Sequence, residues 1–513
     1  MSRTLVSAAI LVFAVVCLAP VAVMAARVGS GDLQGLLSER TLDLLGRTVW
    51  LGLGATTVAV ALGAPYGFLV ARTDVPLAGV LRPIGLLPFM LPPLFLAITW
   101  TAVSDLRGAP ATVWILGANT FPMVALFTAR AFERIDARRE EAALLVGGLR
   151  ATLRMELPLV LPGVACGACL AFVFAVNDFA VPDYVSSVGP KFNVYADEVF
   201  ASWQGDQEAG RAVATAFPLV LLTLAMLVPA VVLRRRGALA TIDGDFRSPA
   251  PLALGRLRWP ALAFCLAVVA LCAGLPLVRL AWEAGGGARG WSVAGFRDAL
   301  SRTLDLERTF LANSLVYSTL AATICAPVAL ILGHALERSR RGRILEVFAL
   351  LPIAVPAILF GIGNIVLWNR DAAFMAAVYN GGAMITLLFI GRFLVFPLLI
   401  TSGAVAALDP RLEEAGELAG AGPAARLFRI VGPGVRPSLI GGWTLVFVMA
   451  MRELDAAILV PAANGTVIFK AFNRIHFARD DAVAALCLLI VFFIVLPGLL
   501  WALFGRRRLE VIG

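Results

Sequence analysis

Few side chains in this sequence are placed to do chemistry, and their spacing narrows what that chemistry is. Only two lysines occur, Lys191 and Lys470, and neither follows a glycine. A phosphate-cradling P-loop needs that Gly-Lys pair, so the chain holds no nucleotide site of that kind. The only histidines are His334 and His476, and no HExxH or GxSxG stretch is present. The chain therefore reads as no enzyme, with no catalytic residues, no confident metal ligands and no cofactor of its own. Cys166-Gly-Ala-Cys169 has the spacing of a redox or metal pair, but it sits in an apolar run, where cysteine packs as a small hydrophobe. All seven cysteines lie in such runs, and an odd number gives no disulfide framework.

What remains are acids in two settings. EEAALLVGG (140–148) and EEAGELAGA (413–421) are two copies of one short acidic, alanine-rich phrase. The other setting is polar residues inside apolar runs, where an ionisable group costs at least about 2.5 kcal/mol at the bilayer centre and marks a pathway or a paired structural role. Asn119 and Arg392 each lie 21 residues before the first glutamate of their phrase. Each either lines a pathway or is satisfied within the bundle. Counted from Pro158 and Pro433, Asn177-Asp178 aligns with Arg452-Glu453. Asp178 and Glu453 then fall near the outer end of a span, either as a gate or in headgroup water.

The elements that position these residues are membrane helices. The chain has 513 residues, 60% hydrophobic and 15% charged, with a mean hydropathy of +0.88. Soluble domains carry about 25% charged residues. Apolar runs of about 20 residues, enough to span a bilayer, occur near 5–26, 43–71, 83–104, 111–131, 157–183, 212–233, 259–281, 309–336, 344–369, 373–404, 433–460 and 482–504. The net charge of +9 is spread in short clusters between these runs. Nucleic acid needs a continuous basic face, so it is excluded as a partner. The clusters fall on alternate loops, and the positive-inside rule places them and both termini in the cytoplasm. The first run is either a retained helix, the reading kept here, or a cleaved signal.

Residues 234–258 divide the runs into two sets of six. Arg72 and Arg338 follow the second span of each set, and LLPFMLPP (86–93) matches LLPIAVPA (350–357). Both sets begin on the same side, so the repeats are parallel. The reading is an all-α membrane protein of about twelve transmembrane helices. Its first repeat is 1–233 with an acidic loop at about 133–157, its linker 234–258, and its second repeat 259–513 with a loop at about 406–432. In each loop, acids lead and Gly147 or Gly420 ends the first turns, which predicts two short helices joined at a glycine. Pro158 or Pro433 then opens the next span.

This pattern resembles the EAA loop of bacterial ABC importer permeases of the type I fold. The resemblance implies a short coupling helix docking into a groove on a cytoplasmic ATPase. Glu140, Glu141, Ala142 and Gly147 would carry that role in the first half, and Glu413, Glu414, Ala415 and Gly420 in the second. The copies depart from the family pattern: the first is two residues shorter between its glycine and Pro158. The second has Gly416 at the third position of the triplet and VGP where LP is usual. The family implies two copies of a separate ABC ATPase, an extracytoplasmic solute-binding protein, and residence in the bacterial inner membrane. Two permease halves fused in one chain look like ferric-iron importer permeases, a layout that thiamine permeases share. Iron(III) is the expected cargo, with thiamine, polyamine, phosphonate or an oxyanion as alternatives. For the binding protein, the loops 183–211 and 464–481 are the expected contacts, with His476 a ligand or a surface contact. The rival class is an ion-coupled secondary transporter, which would need buried carboxylates and not two such loops.

Overall fold

The computed structural model describes residues 3–29, 38–206, 209–238, 247, 249–339, 342–459, 461, 465–477 and 481–504. Backbone in lipid must bond within its own segment or close into a barrel, and here the solution is helical. Among the described residues there is no strand beyond one isolated parallel bridge, Thr73 to Leu252. Eight helices among the described residues are long and apolar enough to cross a membrane, and five further helix pairs would each make one bent span. The proline-rich runs are two of those pairs. Ala78–Met90 meets Pro93–Val103 at 89°, and Ile344–Ala354 meets Ala357–Trp368 at 100°.

Two other expectations change. The tenth run is divided: Ala373–Asn380 and Ala383–Phe393 meet at 80°, then Val395–Ala407 turns by 75° into Pro410–Leu418. Pro158 does not open the fifth span. It lies inside the helix Ala137–Asn177 together with Pro162, and the apolar span already begins at Arg150. Proline is tolerated there because neighbouring groups satisfy the freed carbonyls.

The described chain packs as two compact units. One holds residues 35–198 and 217–282, the other 1–34, 199–216 and 283–513. Packing and repetition thus partition the chain differently. In the first of these units Glu39–Arg72 packs along Gly108–Glu133. The approach depends on small residues, as in other membrane helix pairs. A Cβ on Gly63 would lie 2.5 Å from the Phe121 carbonyl, and one on Gly67 would strike that of Ala125. Val268, Cys265 and Cys272, from the first span of the second repeat, join Tyr66, Val70 and Leu81 in this core.

In the other unit the 46-residue helix Val293–Arg338 is the spine. It packs against Val395–Ala407, Arg436–Arg452 and Asp481–Phe504. The N-terminal span belongs here too. Gly363 lets Ala357–Trp368 approach the Pro20 carbonyl and the Met24 sulfur, and Gly391 lets Ala383–Phe393 approach the Val16 carbonyl.

Candidate functional site

Both acidic loops begin with the same cap. Asp136 accepts a hydrogen bond from Arg138 N at 2.9 Å, and Asp409 accepts one from Arg411 N at 2.9 Å. An aspartate at this position satisfies an orphan donor and favours the helix N-terminus. The first loop helix runs from Ala137 and breaks at Gly147 and Gly148. Gly147 has φ −154°, which any residue adopts, and the left-handed conformation falls on Gly148 at φ 63°. The glycine that the sequence singled out marks the helix end, and its neighbour makes the turn. Beyond it the helix continues unbroken to Asn177, so the first loop has one short helix, not two.

The second loop helix, Pro410–Leu418, ends as predicted at Gly420, with φ 80°. Ala421 N donates to Gly416 O at 2.9 Å, and Gly420 N donates to Glu417 O at 2.9 Å. This closes the last turn around a left-handed glycine. Gly416, the departure from the EAA triplet, faces Ile430 so closely that an alanine methyl would collide with its Cδ1. A short helix Pro423–Gly434 then meets the span Arg436–Arg452 at 79°.

The leading glutamates are held by the matched arginines. Arg72 pairs with Glu140, and its Nη2 lies 3.7 Å from Glu156 Oε1. The side chains of Arg72, Glu140 and Glu156 are 3%, 8% and 2% exposed. In the second half Arg338 Nε donates to Glu413 Oε1 at 3.0 Å, and His334 Nε2 lies 2.7 Å from Glu413 Oε2. Arg338 and Glu413 are 26% and 20% exposed. Burial works against ionisation of Glu413, but the hydrogen bonds and charges of His334 and Arg338 outweigh it and hold the carboxyl below its ordinary value. Sequence comparison aligned Arg72 with Arg338 without giving either a role, and the parts of Glu156 and His334 went unseen.

With the first glutamate turned inward, the rest of each loop helix faces out. Glu141, Ala142, Glu414 and Ala415 are all exposed. Leu145 and Leu418 stand at the same register, five residues after Glu140 and Glu413, and are 89% and 90% exposed. Val146, next to Leu145, is exposed too, as is Leu412 in the first turn of the second loop helix. Each loop thus presents a rigidly capped short helix with an uncovered leucine.

The polar residues within the spans have partners. Asn119 is buried and donates through Nδ2 to Pro88 O at 2.7 Å and Leu91 O at 3.0 Å. Pro92 has no N–H to give the Pro88 carbonyl four residues back, and Asn119 supplies that bond. Arg392 Nε donates to Glu453 Oε2 at 3.1 Å. The structure therefore joins two residues that sequence alignment treated separately. Glu453 Oε1 also accepts from Ala456 N at 3.0 Å, and Asp178 Oδ1 accepts from Val181 N at 2.9 Å. Both acids thus cap the chain where a span ends.

The loops expected to meet a binding protein carry the helices Ala180–Val188, Tyr195–Asp206 and Val467–Phe477. Tyr195 N donates to Thr48 Oγ1 and Val467 N to Ser314 Oγ, each at 2.8 Å. The His476 side chain lies outside the described residues. Among the described residues, no group of three or more His, Cys, Asp or Glu is placed to hold a metal ion.

Comparison with known proteins agrees with this duplication. The family model for binding-protein-dependent transport system inner membrane components matches twice, over residues 63–236 and 326–510. The putrescine transport system permease protein PotI of Escherichia coli K12 is 26% identical over 229 residues, covering 44% of this chain and 81% of PotI. The probable ABC transporter permease protein y4fN of Sinorhizobium fredii is 26% identical over 463 residues, 82% of this chain and 79% of that protein. The thiamine transport system permease protein ThiP of Brucella abortus is 27% identical over 350 residues, 62% of each chain.

Proposed function

This chain belongs to the family of binding-protein-dependent transport system inner membrane components, and from that premise we propose that its two acidic loops couple it to ATP hydrolysis by two separate ATPase subunits. It is a multi-pass ABC importer permease with two fused repeats of the all-α type I fold, a transporter's membrane component and not a catalyst. The observation that carries the coupling reading is the matched pair of loop helices. Each is capped by aspartate, closed by glycine, clamped through its first glutamate and tipped by a leucine in water. An uncovered leucine on a rigid helix is the shape that fills an apolar groove.

In this mechanism the ATPase dimer closes on ATP and draws the two loops together, and the halves rock from inward-facing to outward-facing. The loops and both termini are cytoplasmic, in line with the basic clusters. An extracytoplasmic binding protein delivers the cargo to the side that carries Tyr195–Asp206 and Val467–Phe477. To test this, the tagged chain is co-expressed with its ATPase and purified in mild detergent. We expect two ATPase copies per chain with the parent and none with the Leu145→Asp/Leu418→Asp variant. Full retention by the variant refutes coupling through these leucines.

For cargo we keep iron(III), which the fused layout suggests. The relatives named for putrescine and thiamine make those the competing substrates. An iron cargo would pass without a tight ligand set among the described residues. Uptake of radiolabelled iron(III), putrescine and thiamine is compared in cells with and without the chain. Loss of iron uptake alone is the expected result; loss of either organic cation instead replaces iron.

A further inference from the structure

The two loops share their clamp but not its surroundings. At the first loop, a stretch of the inter-repeat linker lies across the clamp. Leu252 N donates to Arg72 O at 2.8 Å, and Asp74 N donates to Leu252 O at 3.1 Å. These bonds form the parallel bridge between Thr73 and Leu252. Leu254 N donates to Asp74 Oδ1 at 2.8 Å, and Arg72 Nη1 donates to the Ala250 carbonyl. The same stretch reaches the loop helix itself. Ala137 N donates to Arg247 O at 2.9 Å, and the Arg247 guanidinium lies 3.5 Å from Glu141.

Residue 247 and residues 249–254 therefore tie the end of the second span, at 72–74, to the first turn of the loop helix, at 137–141. At the second loop, Arg338 Nη2 instead donates to Val405 O at 3.4 Å and Leu408 O at 3.0 Å. Those carbonyls belong to the end of the helix leading into that same loop. Among the described residues, one loop is braced by a third segment of chain, and the other by its own approach.

We propose that linker residues 247 and 249–254 act as a strap that positions the first coupling loop, so that the linker takes part in coupling to the ATPase and the two loops transmit unequally. Backbone bonds carry most of the strap, so it depends on the path of the linker more than on its side chains. Leu252 is only half-buried. The Asp74 carboxylate and the Leu252 amide are the groups whose removal should release it. This inference rests on the coupling reading of the loops.

The test uses the full chain assembled with its ATPase, with a photo-crosslinking amino acid at position 145 or at position 418. Each is combined with Leu252→Pro, which removes the donor to Arg72 O, with Asp74→Ala, or with Leu252→Ala, which keeps the backbone bonds. We expect crosslinking from 145 to fall by up to about tenfold in Leu252→Pro and Asp74→Ala, as one or two lost hydrogen bonds dictate. Crosslinking from 418 should hold at the parent level, and Leu252→Ala should behave as the parent at both positions. An unchanged yield at 145, or an equal fall at 145 and 418, overturns the strap. Absence of crosslinks from both positions in the parent chain overturns the coupling reading, and the strap with it.

Discussion

Removing Arg72 should cost far more than removing Arg338, although the two occupy the same place in the repeat. Arg72 is the counter-charge for two carboxylates, and all three side chains are less than a tenth exposed. Breaking such a buried set by deleting one partner costs about 3–5 kcal/mol, because charge is left in a medium that solvates it poorly. Glu413 is about a fifth exposed and keeps His334 at 2.7 Å when Arg338 is gone. The corresponding loss should be about 1–2 kcal/mol, between the values for exposed and buried pairs. The comparison uses Arg72→Met and Arg338→Met, unfolded by titration in mixed micelles and followed by tryptophan fluorescence. A third variant, Arg72→Met/Glu140→Gln/Glu156→Gln, removes the stranded charges and should regain most of the loss. If Arg72→Met costs no more than Arg338→Met, or if neutralising the glutamates regains nothing, the electrostatic account of the clamp is wrong.

Other perturbations reach different parts of the molecule. A carboxyl held below its ordinary value binds protons less readily folded than unfolded. The Glu413 contribution is therefore present above about 4.5 and disappears as pH falls through the lower folded value; Glu413→Gln should flatten the acid limb of a thermal-melt series. Asp197, in Tyr195–Asp206, has the opposite sign. Burial pushes it up to about 7, Val194 N–H opposes this, and Asp183, Asp178 and Glu198 add to it. Its stabilising effect is therefore full below about 3.8 and lost as pH rises through about 7. Asp197→Asn keeps an acceptor for Val194 N, and should melt higher than the parent at pH 8 but not at pH 4. Gly148 combines φ 63° with ψ −156°, a region almost reserved for glycine, so Gly148→Ala should cost about 1–3 kcal/mol. Hydrogen exchange should then rise in residues 137–150 without change in 410–420.

Repetition and chain order were legible in the sequence. The two acidic phrases, Gly420 and the matched arginines were all visible as letters at fixed offsets, whereas the capping by Asp136 and Asp409 emerged only from the structure. Apolar runs likewise located nearly every span, because lipid demands their length. Pairings between distant runs were hidden. Asn119 reads as a lone polar residue until Pro88 and Leu91 are seen beside it, and Arg392 and Glu453 sit in different alignment frames. Pro158 misled, because its effect depends on which neighbours satisfy the carbonyls it frees. The broken tenth run and the docking of the linker through Arg247, Leu252 and Leu254 are tertiary outcomes without a local signature.

The placement of the two first spans bears on how the chain comes together during synthesis. The unit holding residues 35–198 and 217–282 is complete once residue 282 has been inserted. The N-terminal span waits much longer. Its Pro20 and Met24 surface packs on Ala357–Trp368, roughly 330 residues later, which at 5–20 residues per second is roughly 15–65 s. For that interval a glycine-matched helix face lies in lipid without its mate. One half of the bundle can settle as it emerges, whereas the other closes only when the newest helices return to the oldest. A ribosome that stalls after residue 282 would leave one finished unit and an idle leading helix open to membrane quality control.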